Sequence, residues 1–493
     1  MYDLAIIGGG INGTGIAADA SARGLSVFLA EQADLASATS SASSKMIHGG
    51  LRYLEHYEFG LVKESLSERE ILLRNAPHLV QALRFKLPYL SHLRPAWLIR
   101  LGLFLYDHLA ANRSLANSHY IHFDPQTSPL APEIKLGFEY SDCVVDDSRL
   151  VIANAMAAAK NGAAINNYCK CISVENHQDH WHLTLKDSLT NELSFVQARA
   201  LVNATGPWAQ RFLEQIVKRP SPQKLRLVKG SHLVLPRQPI GDTGFLLQHS
   251  DKRVVFVVPY LREFTLLGTT DTPFSGDPAS ATIDQAESDY LCEIYNHYFK
   301  NDINEKDILA SFAGVRPLYD DESDDPSAIS RGYRLTLEKV APELPLLSVF
   351  GGKLTTYRRL AEQAVDKLKS IFPLMAACST HESLLPGGDN FADLKKKVSF
   401  RFPWLELPLL SRLVSSYGSN VFNLLGEAKD IADLGEHFGA GLYRAEVNYL
   451  VHEEWVKTSE DLLKRRSNLY LKLDSIDKTN LDTAIEKQRL TMV

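Results

Sequence analysis

A glycine-rich turn near the start of the chain constrains the fold more than any other feature. Asp3 to Ile7, apolar from Leu4 onwards, are typical of a short buried strand, and Gly8, Gly10 and Gly13 follow with the spacing G-x-G-x-x-G. The first glycine of this motif permits a tight turn, the second lets the backbone approach a pyrophosphate, and the third lets the next helix pack closely on the strand. The helix N-terminus then offers N–H groups to phosphate oxygens.

The residues after the turn complete a βαβ unit. The small residues from Thr14 to Arg23 predict a helix, and Leu25 to Ala30 predict a second strand that ends at Glu31. An acidic side chain about 20 residues after the first glycine can bind a ribose hydroxyl pair. The sequence therefore predicts a dinucleotide site in a Rossmann-like α/β domain, and the alternative is a glycine turn in an ordinary βαβ unit.

The motif does not distinguish NAD from FAD, but the next segment favours an extended cofactor. Ala36 to Ser44 is rich in serine and alanine and shows no apolar periodicity. By composition this is also a flexible linker, which would be unusual directly after the second strand of a nucleotide-binding fold. Small hydroxyl side chains suit a backbone that lies along a cofactor and hydrogen-bonds to it.

Segments spread over nearly the whole chain resemble the FAD-dependent glycerol-3-phosphate dehydrogenase family of bacterial respiration, and the membrane-bound aerobic form is the closer match. The resemblance rests on Ile7–Gly13, Thr39–Lys45, His48–Leu54, Leu93–Trp97, Val202–Trp208, Lys229–His232, Gly268–Asp271, Gly314–Pro317, Gly351–Tyr357, Gly435–Glu436 and Trp455. It implies oxidation of sn-glycerol 3-phosphate to dihydroxyacetone phosphate, with electrons passed through FAD to a membrane quinone. It also implies a possible homodimer.

The resemblance further implies FAD contacts beyond the glycine motif and Glu31. We expect non-covalent attachment, although the sequence leaves open a covalent link through His48. The implied contacts are Thr39, Ser40, Ser44, His48, Gly50, Leu51, Val174, Thr205, Gly206, Gly352, Lys353, Leu354 and Thr355.

A phosphorylated alcohol requires cations for its phosphate and a group that accepts its hydroxyl proton. Arg52 and Arg316 each follow a glycine-containing turn and are the expected phosphate ligands, supported by Tyr53 and Thr270. Ordinary ion pairs are the alternative for both arginines.

His232, in the segment Lys-Gly-Ser-His, is the expected general base, and a hydrogen-bonded core histidine is the alternative. Arg316 and Lys353 complete the predicted catalytic set. Lys353 would stabilise negative charge on the reduced flavin, helped by the positive end of a helix that begins near Thr355.

Two other functions remain open at this point. An amine or 2-hydroxy-acid oxidase of the same flavin class would use the arginines for a carboxylate. A flavoprotein without turnover would use its helical C-terminal region as an interaction module.

Composition and patterning predict three domains. A discontinuous FAD domain covers 1–75, 140–220 and 320–375, a mixed antiparallel-sheet substrate domain covers 76–139 and 221–319, and a helical C-terminal domain covers 388–493. An amphipathic helix is expected from Phe59 to Asn75, and another from Lys353 onwards. The formal charge of −6 argues against a dedicated nucleic-acid binder.

The segment Pro95–Ala110 has a core, Ala96–Tyr106, that is apolar nearly all round but too short for a membrane span and interrupted by Arg100. It is either a buried core helix or a helix in the lipid interface, where Trp97, Tyr106, Arg94 and Arg100 suit headgroups. The family resemblance favours the interface. The N-terminus lacks the pattern of a secretory signal, so we expect a peripheral protein on the cytoplasmic face of the cell membrane. The five scattered cysteines suggest reduced thiols, and no metal site is predicted.

Overall fold

The computed structural model describes residues 1–91, 95–110, 113–177, 179–251, 253–319, 332–340, 344–472 and 475–491. Its strands, in chain order, are β1 (Tyr2–Ile7), β2 (Val27–Ala30), β3 (Met46–Ile47), β4 (Val80–Pro88), β5 (His119–His122), β6 (Leu136–Val145), β7 (Ala164–Asn166), β8 (Cys169–His177), β9 (His180–Asp187), β10 (Leu193–Asn203), β11 (Leu225–Pro236), β12 (Gly244–Gln248), β13 (Val254–Tyr260), β14 (Phe264–Gly268), β15 (Thr272–Pro273), β16 (Ala310–Tyr319), β17 (Tyr333–Lys339), β18 (Pro345–Gly351), β19 (His437–Gly439) and β20 (Leu442–Tyr443).

The α-helices of the described residues flank and connect these strands. They are α1 (Ile11–Ala22), α2 (Phe59–Asn75), α3 (Ala96–His108), α4 (Asp147–Lys160), α5 (Ala209–Phe212), α6 (Gln285–Tyr298), α7 (Tyr357–Lys367), α8 (Phe391–Arg401), α9 (Leu407–Tyr417), α10 (Val421–Leu425), α11 (Arg444–Glu453) and α12 (Ser475–Leu490).

The first sheet is built around parallel strands in the order β18-β10-β1-β2-β7. Antiparallel β17 lies beside β18, and the β8–β9 hairpin extends from β10. Ile7 pairs with both Ala30 and Asn203, so the carboxyl ends of β1, β2 and β10 meet at one edge. In open parallel sheets ligands bind at this edge.

Helix α1 lies between the first sheet and the helices α4 and α7, which both pack against it. Its small residues allow this close contact. A Cβ atom at Gly15 would lie 2.8 Å from the ring of Tyr357 on α7. Three helices therefore cover one face of the sheet and hold the glycine turn in place.

The second sheet is mostly antiparallel, in the order β15-β11-β14-β13-β12-β4-β6-β3, with β16 beside β11 and β5 beside β6. Its one parallel pair in the described residues is β12 with β4. His232 on β11 is flanked by Gly268 of β14 and Phe312 of β16. The α/β fold with a mixed-sheet domain is confirmed.

Helices α8–α12 surround a separate apolar core, so the helical C-terminal region is also confirmed. The predicted domain limits remain a prediction. Strand β3 joins the second sheet although it lies within 1–75, β6 crosses residue 140, and the predicted limit at 320 lies outside the described residues.

Candidate active site

A cavity of about 660 Å³ lies between the two sheets, at the carboxyl edge of the first. Its walls come from parts of the chain that are distant in sequence. They include the turn after β1, the Ser-rich loop (Ala36–Ser44), the 3₁₀ segment Leu51–His56, strands β11, β13 and β16, and the loop Gly351–Thr355.

The glycine turn has the geometry that the motif predicts. Gly8 has a φ of +114°, which favours glycine, and a Cβ atom at Gly13 would lie 1.8 Å from the carbonyl oxygen of Gly8. A Cβ atom at Gly10 would lie 3.0 Å from Ser40 Oγ. Any side chain at these positions would narrow the cavity or push α1 away from β1.

Glu31 lies at the cavity wall and is fixed by the backbone. Its carboxylate accepts hydrogen bonds from Gly9 N–H at 2.7 Å and from Ala33 N–H at 3.0 Å. Burial raises the pKa of Glu31, against the effect of these hydrogen bonds. This position suits the ribose contact predicted for it.

The Ser-rich loop is pinned at several points rather than being a linker. Ser40 Oγ accepts from Ile11 N–H at 3.0 Å, and Thr39 Oγ1 donates to the carbonyl of Val315 at 2.7 Å. The buried Lys45 pairs with Asp147 at 2.7 Å. These contacts tie the loop to α1, β16 and α4.

The loop that contains His48 is supported from behind by α3. Gly49 N–H donates to Tyr106 Oη at 2.7 Å, and this hydroxyl donates to Asp142 at 2.8 Å. Asp142 also pairs with Arg69 at 2.8 Å. His48 itself lines the cavity with Gly50 and Leu51, and its backbone N–H donates to Thr355 Oγ1 at 3.3 Å.

The loop after β18 forms part of the cavity wall. Gly351 and Gly352 have φ angles of +78° and +105°, and Gly352, Lys353, Leu354 and Thr355 all line the wall. Asn12 Nδ2 donates to the carbonyl of Gly351 at 3.1 Å. The loop is thereby joined to the start of α1, and Thr205 and Gly206 line the cavity beside it.

His232 is buried and faces this cavity. Its Nε2 lies 2.9 Å from Ser44 Oγ, and its ring stacks on Phe312 with centroids 4.9 Å apart. Nδ1 has no hydrogen-bond partner among the described residues. Burial, followed by the charges of Arg316 and Lys45, lowers the pKa of His232 well below its usual value, so the imidazole is neutral at neutral pH.

The two predicted phosphate ligands converge on one carboxylate. Arg316 Nη1 lies 3.0 Å from Asp271 Oδ1, and Arg52 Nη1 lies 3.8 Å from Asp271 Oδ2. All three side chains line the cavity. Lys353 Nζ is buried and lies 3.8 Å from the ring centroid of Tyr53.

Three predicted site residues do not line the cavity. Gly13 acts through packing, as above. Val174 is buried in an apolar cluster, while Cys169, Lys170 and Cys171 of the same strand line the wall. The Thr270 hydroxyl donates to Glu287 at 2.7 Å and accepts from Ser231 N–H, so it supports the corner after β14.

Sequence reasoning did not select Asp271 or Trp208 as site residues, although both lie in segments that carry the resemblance. Trp208 lines the cavity and donates from Nε1 to Asp277 at 3.0 Å. The nearby Gly-Thr-Thr-Asp and Gly-Pro-Trp segments were the available signal.

The described residues fit FAD. The glycine turn leaves space for phosphates, Glu31 is held for a ribose, and Asn12 Oδ1 is a buried acceptor without a partner among the described residues. All five cysteines are free thiols, and the described residues contain no cluster of metal-ligand type. No helix in the described ranges has the length and apolarity needed to cross a bilayer.

Comparisons with known proteins agree with this geometry. A family model described as FAD dependent oxidoreductase matches residues 3–358, and one described as the C-terminal domain of alpha-glycerophosphate oxidase matches residues 378–485. The chain is 51% identical over 491 residues to a glycerol-3-phosphate dehydrogenase of Pseudomonas aeruginosa, covering 99% of this chain and 96% of that relative.

Two further similarities span most of the chain. The aerobic glycerol-3-phosphate dehydrogenase of Escherichia coli is 50% identical, with 94% of this chain and 93% of the relative covered. The crystal structure of the glycerol-3-phosphate dehydrogenase from Bacillus halodurans complexed with FAD has a TM-score of 0.75 and 27% identity, covering 99% of this chain and 94% of that one.

Proposed function

Because this chain belongs to the FAD-dependent glycerol-3-phosphate dehydrogenase family and uses FAD as its cofactor, we propose that it oxidises sn-glycerol 3-phosphate to dihydroxyacetone phosphate. We further propose that the electrons pass to a membrane quinone. The oxidation removes a hydride from the alcohol carbon and a proton from its hydroxyl, and bound FAD accepts the hydride.

The convergence of Arg52 and Arg316 at the cavity wall carries this proposal. Their guanidinium groups meet the same carboxylate of Asp271 at 3.8 and 3.0 Å, so both can reach one anion. A planar guanidinium offers paired donors that match phosphate oxygens. This pair supports a substrate with a terminal phosphate.

The position of His232 supports its role as the proton acceptor. It lies on β11, beside the β16 strand that carries Arg316, and its neutral imidazole has a nitrogen lone pair for the hydroxyl proton. Burial and the charges of Arg316 and Lys45 lower its pKa and so weaken it as a base, which makes its position, rather than its basicity, the support for this role. The Ser44 hydroxyl at 2.9 Å from Nε2 orients the ring.

Lys353, in the loop that follows β18, supports charge stabilisation at the cavity wall. Lys353 follows Gly351 and Gly352, whose positive φ angles bring the backbone against the cavity, and its ammonium group is buried. A fixed cation in a water-poor site stabilises developing negative charge without reorganisation.

A carboxylate substrate is the second candidate, because paired arginines also suit a carboxylate. An amine or 2-hydroxy-acid oxidase would therefore share most of this geometry. Anaerobic absorbance of the flavin separates the two. We expect bleaching by sn-glycerol 3-phosphate, and no bleaching by glycerol, a 2-hydroxy acid or an amino acid.

Bleaching by the hydroxy acid without bleaching by the phosphate would assign the arginines to a carboxylate and overturn the proposal. A four-carbon polyol phosphate, added in the same experiment, tests whether the cavity also accepts a longer phosphorylated alcohol. Absence of bleaching by any of these compounds would favour a flavoprotein without turnover.

The outer face of α3 supports the membrane part of the proposal. Trp97, Leu98, Leu101 and Phe104 are 67%, 44%, 47% and 48% exposed, whereas Leu103 and Tyr106 are buried. Four large apolar side chains on one short helix suit the interfacial region of a bilayer. Arg100 donates to Ser118 Oγ, while Arg94 lies outside the described residues.

On the opposite side of α3, Tyr106 accepts a hydrogen bond from the backbone N–H of Gly49, which lies between the cavity-lining residues His48 and Gly50. A quinone in the bilayer would therefore approach the cavity from the side of α3. The proposal includes a peripheral position on the cytoplasmic face of the cell membrane, and a homodimer stays a prediction.

A further inference from the structure

Asp271 lies between the two arginines that we assign to the substrate phosphate. One of its carboxylate oxygens faces Arg316 and the other faces Arg52, at 3.0 and 3.8 Å. The side chain of Asp271 is mostly buried, and it lines the cavity together with both partners. A negative charge in a phosphate site opposes the ligand, so its presence requires an explanation.

Asp271 is not needed to hold Arg316 in place. Arg316 Nη2 donates to the carbonyl of Thr270 at 2.6 Å and lies 3.4 Å from Thr269 Oγ1. Strand β16, which carries Arg316, is paired with β11 along its whole length. The guanidinium group keeps these anchors whatever the charge at position 271.

We propose that Asp271 is an internal competitor for the substrate phosphate. Between turnovers its carboxylate neutralises one of the two guanidinium charges, and an incoming phosphate must share or take over these partners. The result is weaker binding of phosphorylated substrate and product than two arginines alone would give. This inference deepens the proposed function and rests on it.

The physical benefit lies in turnover. Binding substrate and transition state equally tightly does not accelerate the chemical step, and tight binding of the phosphate group would also retain the product. Two arginines confined near each other repel, and a carboxylate between them removes this cost when no ligand is bound. Asp271 therefore sets the affinity for phosphate without contributing to proton or hydride transfer.

Calorimetric titration of the FAD-loaded enzyme with inorganic phosphate tests the inference. At about pH 8, where phosphate is mainly a dianion, we expect Asp271→Asn to lower the Kd for phosphate about tenfold or more, because it removes a like charge beside the ligand. We expect the same fall in the Kd for phosphate with Asp271→Ser, which has a smaller side chain. We also expect both variants to have a lower KM for sn-glycerol 3-phosphate than the wild type.

Two matched variants separate this effect from a general change in charge or packing. Asp271→Glu keeps the charge and retains a Kd close to that of the wild type. Asp242→Asn removes a carboxylate from a fully exposed position paired with Arg237, in the same domain, and leaves the Kd unchanged. A Kd that is unchanged or higher in both Asp271→Asn and Asp271→Ser would show that Asp271 only positions the arginines and would overturn the inference.

Flavin reduction tests the proposed function separately. If sn-glycerol 3-phosphate fails to reduce the wild-type flavin while phosphate binds more tightly to Asp271→Asn, the substrate assignment fails and the role of Asp271 stands. If the wild-type flavin is reduced but the affinity for phosphate does not rise, the inference about Asp271 fails alone.

Discussion

Replacing His232 by asparagine removes the proposed proton acceptor and keeps a polar side chain in the buried site. We expect flavin reduction by sn-glycerol 3-phosphate to slow by about 10²–10⁴-fold, with FAD still bound. In the wild type, the lowered pKa of His232 keeps the imidazole neutral as the pH falls through about 6.5, so the rate persists there. Anaerobic stopped-flow absorbance from about pH 5.5 to 8 measures both effects.

The matched control is His122→Asn, at an exposed position of β5, which we expect to leave the rate unchanged. Full activity of His232→Asn would remove this residue from the base role. A loss of wild-type activity with a midpoint near the ordinary histidine pKa would contradict the burial argument.

Single residues were predictable from the sequence where a motif states their chemistry. Arg52, Arg316 and His232 were expected at one site, and the structure brings them together around the cavity. Their roles stay predictions. The direction in which the Thr270 hydroxyl points could not be predicted from the sequence, because it depends on a tertiary hydrogen bond to Glu287 on α6. Asp271 was missed because its role depends on its ion pairs with Arg52 and Arg316, which lie elsewhere in the chain.

Helix α3 is the element whose outer face we expect to bind lipid. Replacing both Leu101 and Phe104 by glutamate places two charges on this exposed face and leaves the buried Leu103 and Tyr106 intact. We expect binding to anionic vesicles to fall about tenfold or more, since apolar burial in the interface is lost and repulsion is added. Vesicle flotation measures binding, and flavin reduction by substrate in solution should persist.

The double variant Leu374→Glu and Phe400→Glu is the control, because these side chains are 98% and 90% exposed elsewhere on the molecule. Equal loss of vesicle binding in both double variants would mean that α3 has no special part in it.

Elements were predictable where local pattern decides them. The helix expected from Phe59 to Asn75 has these bounds, since its apolar spacing and the following Pro77 act locally. The helix expected from Lys353 begins four residues later, at Tyr357. Positive φ angles at Gly351 and Gly352 turn the backbone along the cavity first, a demand that comes from the site and not from helix propensity.

At the scale of the whole molecule, buried ion pairs join the C-terminal region to Asp34, which lies between Glu31 and the Ser-rich loop. Arg466, with no exposed side-chain surface, pairs with Asp34 at 2.8 Å, and Arg465 pairs with the same carboxylate at 2.6 Å. Asp34 lies three residues after Glu31. Arg149 on α4 and Glu454 form a second buried pair across the same junction.

Asp34→Asn leaves two buried arginines short of a counter-ion. We expect the free energy of unfolding to fall by about 3–5 kcal/mol, and FAD to be released at a lower temperature. Although burial raises the pKa of Asp34, Arg466 and Arg465 hold it below its usual value. This stabilisation is present above the unfolded-state pKa and is lost on acidification, so the difference from wild type shrinks below about pH 4.

Thermal unfolding followed by flavin fluorescence measures this difference. Glu427→Gln, which breaks an exposed pair with Arg401, is the control and changes stability by about 0.5 kcal/mol or less. An equally small effect of Asp34→Asn would mean that the junction contributes little.

The fold class was predictable, because helical spacing and strand alternation differ along the chain. The junction was not, because Asp34 and Arg466 are unremarkable as isolated residues and no sequence pattern links positions so far apart. The same holds for β3, whose two residues join the second sheet from within the range assigned to the first.

The ion pair between Asp34 and Arg466 has a consequence for the synthesis and assembly of the enzyme. The ribosome releases the glycine turn first, the cavity-lining residues up to Thr355 later, and Arg466 later still. Until then Asp34 lacks the partners that steady the loop beside Glu31. A nascent chain that still lacks Arg466 cannot form this ion pair, so we expect it to hold FAD less firmly than the chain in which the pair has formed.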